Sequence, residues 1–176
     1  MIQILFPFNA SEGREKIMKK EELIERAYET FSLFEKPTQC TQHTDFEDRE
    51  FNAMLLSTDR RGLTAEQAGT AAWSPLPSMT PEAVAYFMPR LIELAVTNAV
   101  DGDGDPFFCM FINSFSKGPN DGRFSLFRRE HGSIMADAFH FLCLNLGEQL
   151  KREGWLDEAC QAEKNWRDAQ GVNNGE

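Results

Sequence analysis

The stretch from Leu126 to Glu153 constrains the fold more than any other part of the chain. Read at helical spacing, Ile134, Met135, Ala138, Phe139, Phe141, Leu142, Cys143, Leu146 and Leu150 wrap most of its circumference. Ser133, Asp137, His140, Glu148 and Lys151 keep only a narrow polar stripe. A surface helix needs one apolar face, whereas a helix apolar nearly all round needs neighbours on several sides. The rest of the chain must therefore supply helices to surround this one. Lys151-Arg152, then Gly154 and Trp155, read as its stop: cations near the end, a glycine after it and a hydrophobic contact beyond.

The neighbours are written in the same code. Glu15 to Phe34 reads as a helix, with Ile17, Ile24 and Phe31 seven residues apart, Ala27 and Phe34 on the same stripe, and Pro37 past its end. Thr44 and Glu47 form a Thr-x-x-Glu capping box ahead of Phe46, Phe51, Met54 and Leu55. Thr64 and Gln67 repeat the box before a short helix to about Ala72. Two prolines make Trp73-Ser74-Pro75-Leu76-Pro77 an extended corner, with Trp73 and Leu76 expected in the core.

The clearest start signal follows. Thr80 is placed to cap, Pro81 to occupy the first helical position and Glu82 to sit at the positive end of the dipole. Val84, Phe87, Met88, Leu91 and Ala95 continue the helix, and Pro89 inside it deprives the Ala85 carbonyl of a donor and is expected to kink it. Asp105-Pro106 repeats the cap-then-proline signal before the uncharged run Phe107 to Phe115, which ends at Lys117-Gly118-Pro119. This run is expected as a short buried helix, with a strand as the rival. A last helix, about Asp157 to Asp168, brings Ala159, Cys160 and Trp166 to the body.

The expected architecture is one compact all-α domain over residues 15–168. It has six to seven helices around the long one, with an N-terminal arm (1–14) and a loose tail (169–176). No internal repeat or low-complexity linker interrupts it.

Trp73 with Leu76-Pro77, Thr80-Pro81-Glu82-Ala83, Tyr86-Phe87, Pro89 and Leu91 together resemble the core of a family of small bacterial proteins of unknown function. Phe124-Ser125-Leu126-Phe127 and Ile134 to Leu146 are similar to its later part, so the resemblance spans roughly Leu23 to Leu150. The spacing from Trp73 to Thr80 is tighter than the family pattern. The resemblance implies a fold and assigns no catalytic residue.

Charge narrows the partners. Eighteen basic residues oppose 28 acidic ones, for a net charge of −10 and a pI near 4.8. No Lys/Arg cluster offsets that field, which argues against nucleic acid and against an anionic membrane surface. No apolar run approaches the roughly 18 residues of a membrane span. Met1 to Phe8 is apolar but lacks the basic start and cleavage site of a signal peptide, so a cytoplasmic location is expected. Cys40, Cys109, Cys143 and Cys160 are then expected to stay reduced, three of them inside apolar helical patterns.

Three constellations carry possible chemistry. Cys40 and His43 have the spacing of half a zinc site, but the only further ligands on offer (His131, His140, Cys109) lack a matching spacing. The competing reading is a capped loop. Asp101-Gly102-Asp103-Gly104-Asp105 opens like a calcium loop, yet Pro106 and Ile112 occupy the positions of its glycine and bidentate glutamate. An acidic turn with Asp105 as an N-cap is the ordinary alternative. His140 lies three residues after Asp137, a spacing at which a carboxylate can orient an imidazole, but no nucleophile is evidently beside it. His131 is expected at the surface. Nucleotide-binding glycine loops, a Gly-x-Ser-x-Gly elbow and a His-Glu-x-x-His pair do not occur.

These observations favour a protein-interaction module, of an immunity-type or regulatory kind, with a basic protein as partner and neither cofactor nor catalytic residue. The alternatives are a small-ligand binder or enzyme, with Trp73, Tyr86, Arg90 and His140 around a pocket between the proline-bearing and long helices, and a metal sensor built on Cys40 and His43. Fifteen phenylalanines raise the further expectation of a homodimer that hides a surplus.

Overall fold

In the computed structural model, residues 18–43, 45–70 and 72–169 are described. They form eight α-helices and no extended sheet: α1 (Lys20–Thr30), α2 (Phe46–Ser57), α3 (Ala65–Ala68), α4 (Pro81–Val96), α5 (Phe107–Phe115), α6 (Arg129–Asn145), α7 (Gly147–Glu153) and α8 (Leu156–Asp168). The domain is all-α, as expected. The arm at 1–14 and all but the first residue of the 169–176 tail lie outside the described residues, as does Thr44.

α4 forms where its start signal places it. The Thr80 hydroxyl accepts from the Ala83 N–H at 3.2 Å, Pro81 opens the helix, and the helix continues through a buried Pro89 to Val96. Eleven of its residues are buried, so it is as central as α6. The run Phe107–Phe115 is a helix, and the rival strand is excluded. Asp105 does not cap it. Pro106 holds the cap position without a side-chain bond, and Asp105 instead donates its N–H to the Asp101 carboxylate.

The long C-terminal helix is two helices. α6 ends at Asn145; the next residue, Leu146 (φ −118°, ψ 16°), leaves helical geometry, and α7 starts at Gly147. Glycine is a poor helix former, and the Asn145 side chain turns back to the Phe141 carbonyl at 3.0 Å. The stop at Gly154 holds: it takes left-handed backbone (φ 77°), and the Trp155 N–H closes on the Leu150 carbonyl at 2.8 Å. At the other end α6 starts at Arg129, not Leu126. Phe124 and Phe127 belong to a short turn capped by Asp121.

α6 packs chiefly on α8, and α1 lies against both α4 and α6. Between them runs a continuous aromatic seam: Phe31 on Phe127 (5.2 Å between ring centroids), Phe127 on Phe124 (5.3 Å) and Phe124 on Trp166 (5.1 Å). Each edge-to-face pair adds about 0.5–1.5 kcal/mol beyond its burial. Trp166 is fully buried and donates its indole N–H to the Phe115 carbonyl at 2.8 Å, which fixes α8 to α5. Among the described residues Phe46 is the only exposed phenylalanine. No helix among these residues is long and apolar enough to cross a membrane.

Candidate functional site

The outer side of α1 is ordered in rows by its sequence. Leu23, Ala27 and Phe31 point into the core and are fully buried. Ile24 and Tyr28, four apart, form a half-buried row beside them, and Glu21, Glu25 and Glu29 form the exposed edge. Against this helix lies the loop that follows α2. Its Arg61 guanidinium sits over the Tyr28 ring, 3.8 Å from the centroid. Between helix and loop runs an open groove of about 570 Å³, with Ile24 and Tyr28 along its floor, the three carboxylates on one side and Arg61 on the other.

Beneath the groove most polar groups are paired, although the Arg60 Nε is buried without a hydrogen-bond partner. The Tyr28 hydroxyl donates to Glu93 at 2.7 Å, and Arg90 makes an ion pair with the same carboxylate oxygen at 2.9 Å. Arg90 also donates from Nε to the Leu63 carbonyl at 2.8 Å. One turn earlier on α4, the Tyr86 hydroxyl accepts from the Arg60 N–H at 3.1 Å while the Arg60 guanidinium covers its ring at 4.4 Å. Arg60 further donates to the Phe34 carbonyl. Burial and the bond to Glu93 push the Tyr28 phenol far above its ordinary range, so it remains a donor. Burial pushes Glu93 up, but its bonds from Tyr28 and Arg90 outweigh this and hold the carboxyl below its usual value. Catalysis by proton transfer needs a group that changes state near the working pH. Tyr28 and Glu93 are instead fixed in opposite, complementary states.

Of the four residues expected around a ligand pocket, two meet here. Tyr86 and Arg90 both hold the loop after α2. Trp73 lies apart, 45% exposed and packed on Phe51 at 4.4 Å, so its expected place in the core is corrected; Leu76 does reach it. His140 faces α8, where its Nδ1 lies 3.0 Å from a Glu163 carboxylate oxygen. The expected pairing with Asp137 is replaced, and Asp137 lies instead between Arg26 (3.3 Å) and Arg167 (3.8 Å). An i,i+3 spacing permits a contact, but a helix packed alongside offers a better-aimed one.

Cys40 and His43 part company. Cys40 is fully buried, its thiol pushed up by burial, and its segment pairs with the residues ahead of α4 through the Thr80 N–H to the Cys40 carbonyl at 2.9 Å. His43 is exposed. Among the described residues no three His, Cys, Asp or Glu side chains gather as a metal cage. The Asp101 carboxylate turns inward, accepting from the N–H groups of Asp103 (2.9 Å) and Asp105 (3.0 Å), and so closes its own loop. The capping box expected at Thr44 falls on a residue outside the described ones; Asp45 caps α2, accepting from Asp48 at 2.9 Å, and the box of Thr64 and Gln67 forms in full. His131, expected at the surface, is buried.

Tyr28, Arg60, Arg61 and Glu93 were not singled out in the sequence. Tyr28 was legible as the residue four after Ile24 on a helix stripe, and Arg60-Arg61 as a basic pair just past α2. Nothing local marks Glu93 as their common partner. Comparison with known proteins finds no match to a family model, to a curated protein or to a solved structure.

Proposed function

We propose that the protein is an interaction module whose α1 groove receives a basic, amphipathic segment of a protein partner. The observation that carries this reading is the make-up of the groove: an edge of Glu21, Glu25 and Glu29 beside an apolar floor of Ile24 and Tyr28. A partner's apolar side chain would cover that floor while its lysines or arginines meet the carboxylates. The net charge of −10 adds attraction over a Debye length of about 8 Å at physiological salt. The groove is open, and Tyr28, Glu93 and Arg90 under it are already bonded to one another, which suits docking better than turnover. A regulatory or immunity-type complex is the class of assembly that such a surface serves.

The test is an NMR titration of the labelled protein with two peptides of equal length, one alternating lysine and leucine, the other alternating glutamate and leucine. The basic peptide should shift the amide signals of Glu21 to Ser32 and Arg61, less so as salt rises. The double variant Glu25→Lys with Glu29→Lys should lose the response. Equal shifts with the acidic peptide, shifts centred elsewhere, or a response that survives the double variant would overturn the proposal.

A further inference from the structure

A second arrangement is formed by α6 and α8. Cys143 on α6 is half-buried, Cys160 on α8 is exposed, and their sulfurs lie 3.2 Å apart. They are 17 residues apart in sequence, and the α7 turn brings them together. A disulfide bond is about 2.05 Å long, so joining them needs an approach of roughly 1.2 Å. Both helices are held at this point. Ala159, Ala162 and Trp166 fix α8 in the core, and the His140–Glu163 contact at 3.0 Å bridges the helices one turn away. The other two cysteines differ: Cys40 is fully buried, and Cys109 on α5 is half-buried, its thiol pushed up to about 11 by burial and nearby carboxylates.

We propose that Cys160 and Cys143 form a thiol–disulfide exchange site, in which Cys160 takes up a low-molecular-weight disulfide and Cys143 resolves the adduct. Accessibility assigns the order. Cys160 meets solvent, while burial, the contact with Cys160 and the nearby Glu163 hold the Cys143 thiol protonated. In the first step the Cys160 thiolate attacks one sulfur of the disulfide. That S–S bond breaks, and the departing thiolate takes up a proton equivalent to the one Cys160 released. In the second step Cys160 is no longer a thiol donating toward Cys143; Cys143 gives its proton to solvent, its thiolate attacks the Cys160 sulfur, the mixed S–S bond breaks, and the second small thiolate leaves and takes up a proton. Two protein thiols lose two electrons, and one small disulfide is reduced to two thiols. The product ties α8 covalently to α6.

Oxidised glutathione is the probe. The full chain is incubated with it, quenched with an alkylating agent, and followed by intact mass and peptide mapping. The native protein should lose the mass of two hydrogens and yield a linked Cys143–Cys160 peptide. Cys143→Ser should stop at a glutathione adduct on Cys160, and Cys160→Ser should react about tenfold more slowly, as expected when the accessible sulfur is removed. A glutathione adduct that persists on native Cys160, a link involving Cys40 or Cys109, a link between two chains, or an unchanged rate in Cys160→Ser would overturn the assignment. Mapping of the native protein is decisive even where a variant folds poorly.

Discussion

Acid should weaken this fold through His131, and the sign and ceiling of the effect follow from its surroundings. The imidazole is 5% exposed and packed between Phe31 (4.7 Å), Phe34 (5.2 Å) and Phe127 (5.7 Å). Its Nδ1 accepts the Arg128 N–H at 2.9 Å, so the ring is neutral with Nδ1 unprotonated. Protonation would set a second donor against that N–H and place a charge among three phenyl rings. Burial accordingly lowers its pKa below the ordinary 6.5, against the opposing pull of Glu130 and a bond to the Thr30 backbone. A histidine with a lowered folded-state pKa stabilises fully above its unfolded value. Below about pH 6.5 the unfolded chain binds the proton first, and stability falls until the folded-state pKa is passed. If the folded ring stays neutral, moving from pH 7.5 to 5.5 costs at most about 1.4 kcal/mol, the linkage of one proton over one pH unit. Urea unfolding of native protein and His131→Gln at both pH values isolates this term, because the other titrating groups are shared. Glutamine keeps an acceptor for the Arg128 N–H but does not titrate. The native advantage at pH 7.5, about 1–2 kcal/mol from the lost ring contacts, should shrink at pH 5.5. A difference that stays constant, or that widens in acid, refutes the buried neutral ring.

Three further outcomes are expected. Trp166→Phe loses the donor to Phe115 and part of the aromatic seam, and should cost about 2 kcal/mol in urea unfolding; a cost under about 0.5 kcal/mol would mean α8 is not held there. Tyr28→Phe keeps the ring under Arg61 but strips one donor from Glu93, so about 1 kcal/mol should be lost with the groove's apolar floor intact, read as a lower urea midpoint. Gly69→Ala would put a Cβ 2.4 Å from the Trp73 carbonyl oxygen at a φ of 101°, and should lower the melting temperature by more than any ordinary surface change, with at least about 2 kcal/mol lost.

What the sequence made legible was local, and what it hid was pairing across elements. Thr80-Pro81 and Thr64-Gln67 start helices through bonds within three residues, so their signals could be read in place. Phe107 to Phe115 was ambiguous because a short apolar run fits either period, and its proline and glycine boundaries decided correctly. The break at Leu146 was missed because the apolar pattern continues smoothly across it; only Gly147 and the back-bonding Asn145 mark the place. His131 and Trp73 were each assigned to the wrong side of the surface. His131 is drawn in by Phe31 and Phe34, about a hundred residues earlier, and Trp73 finds Phe51 on a helix edge. The same limit hid both sites. Tyr28, Glu93 and Arg61 come from three elements, and Cys143 and Cys160 from two, and no spacing announces either meeting.

α1 is the helix at which these distant pairings converge, and this bears on where a partner can bind. One flank is tied to α6 by Arg26 on Asp137, which also faces Arg167 of α8; the other is tied to α4 by Tyr28 on Glu93. Exposed pairs of this kind contribute about 0–1 kcal/mol each, but breaking a half-buried one leaves a charge without its partner, which costs more than the pair contributed. A ligand that had to open either network would lose much of its own binding energy to that cost. The outer edge imposes no such loss: among the described residues Glu25 and Glu29 have no ion-pair partner, and Glu21 has only Lys20 at 4.0 Å. Any cation approaching α1 therefore gains attraction there without displacing an existing bond, while the helix beneath is held rigid from both sides. That combination, a pre-organised backbone with uncommitted charge along one edge, is where association costs are lowest and where the α1 groove should outcompete the rest of the acidic surface for a basic segment.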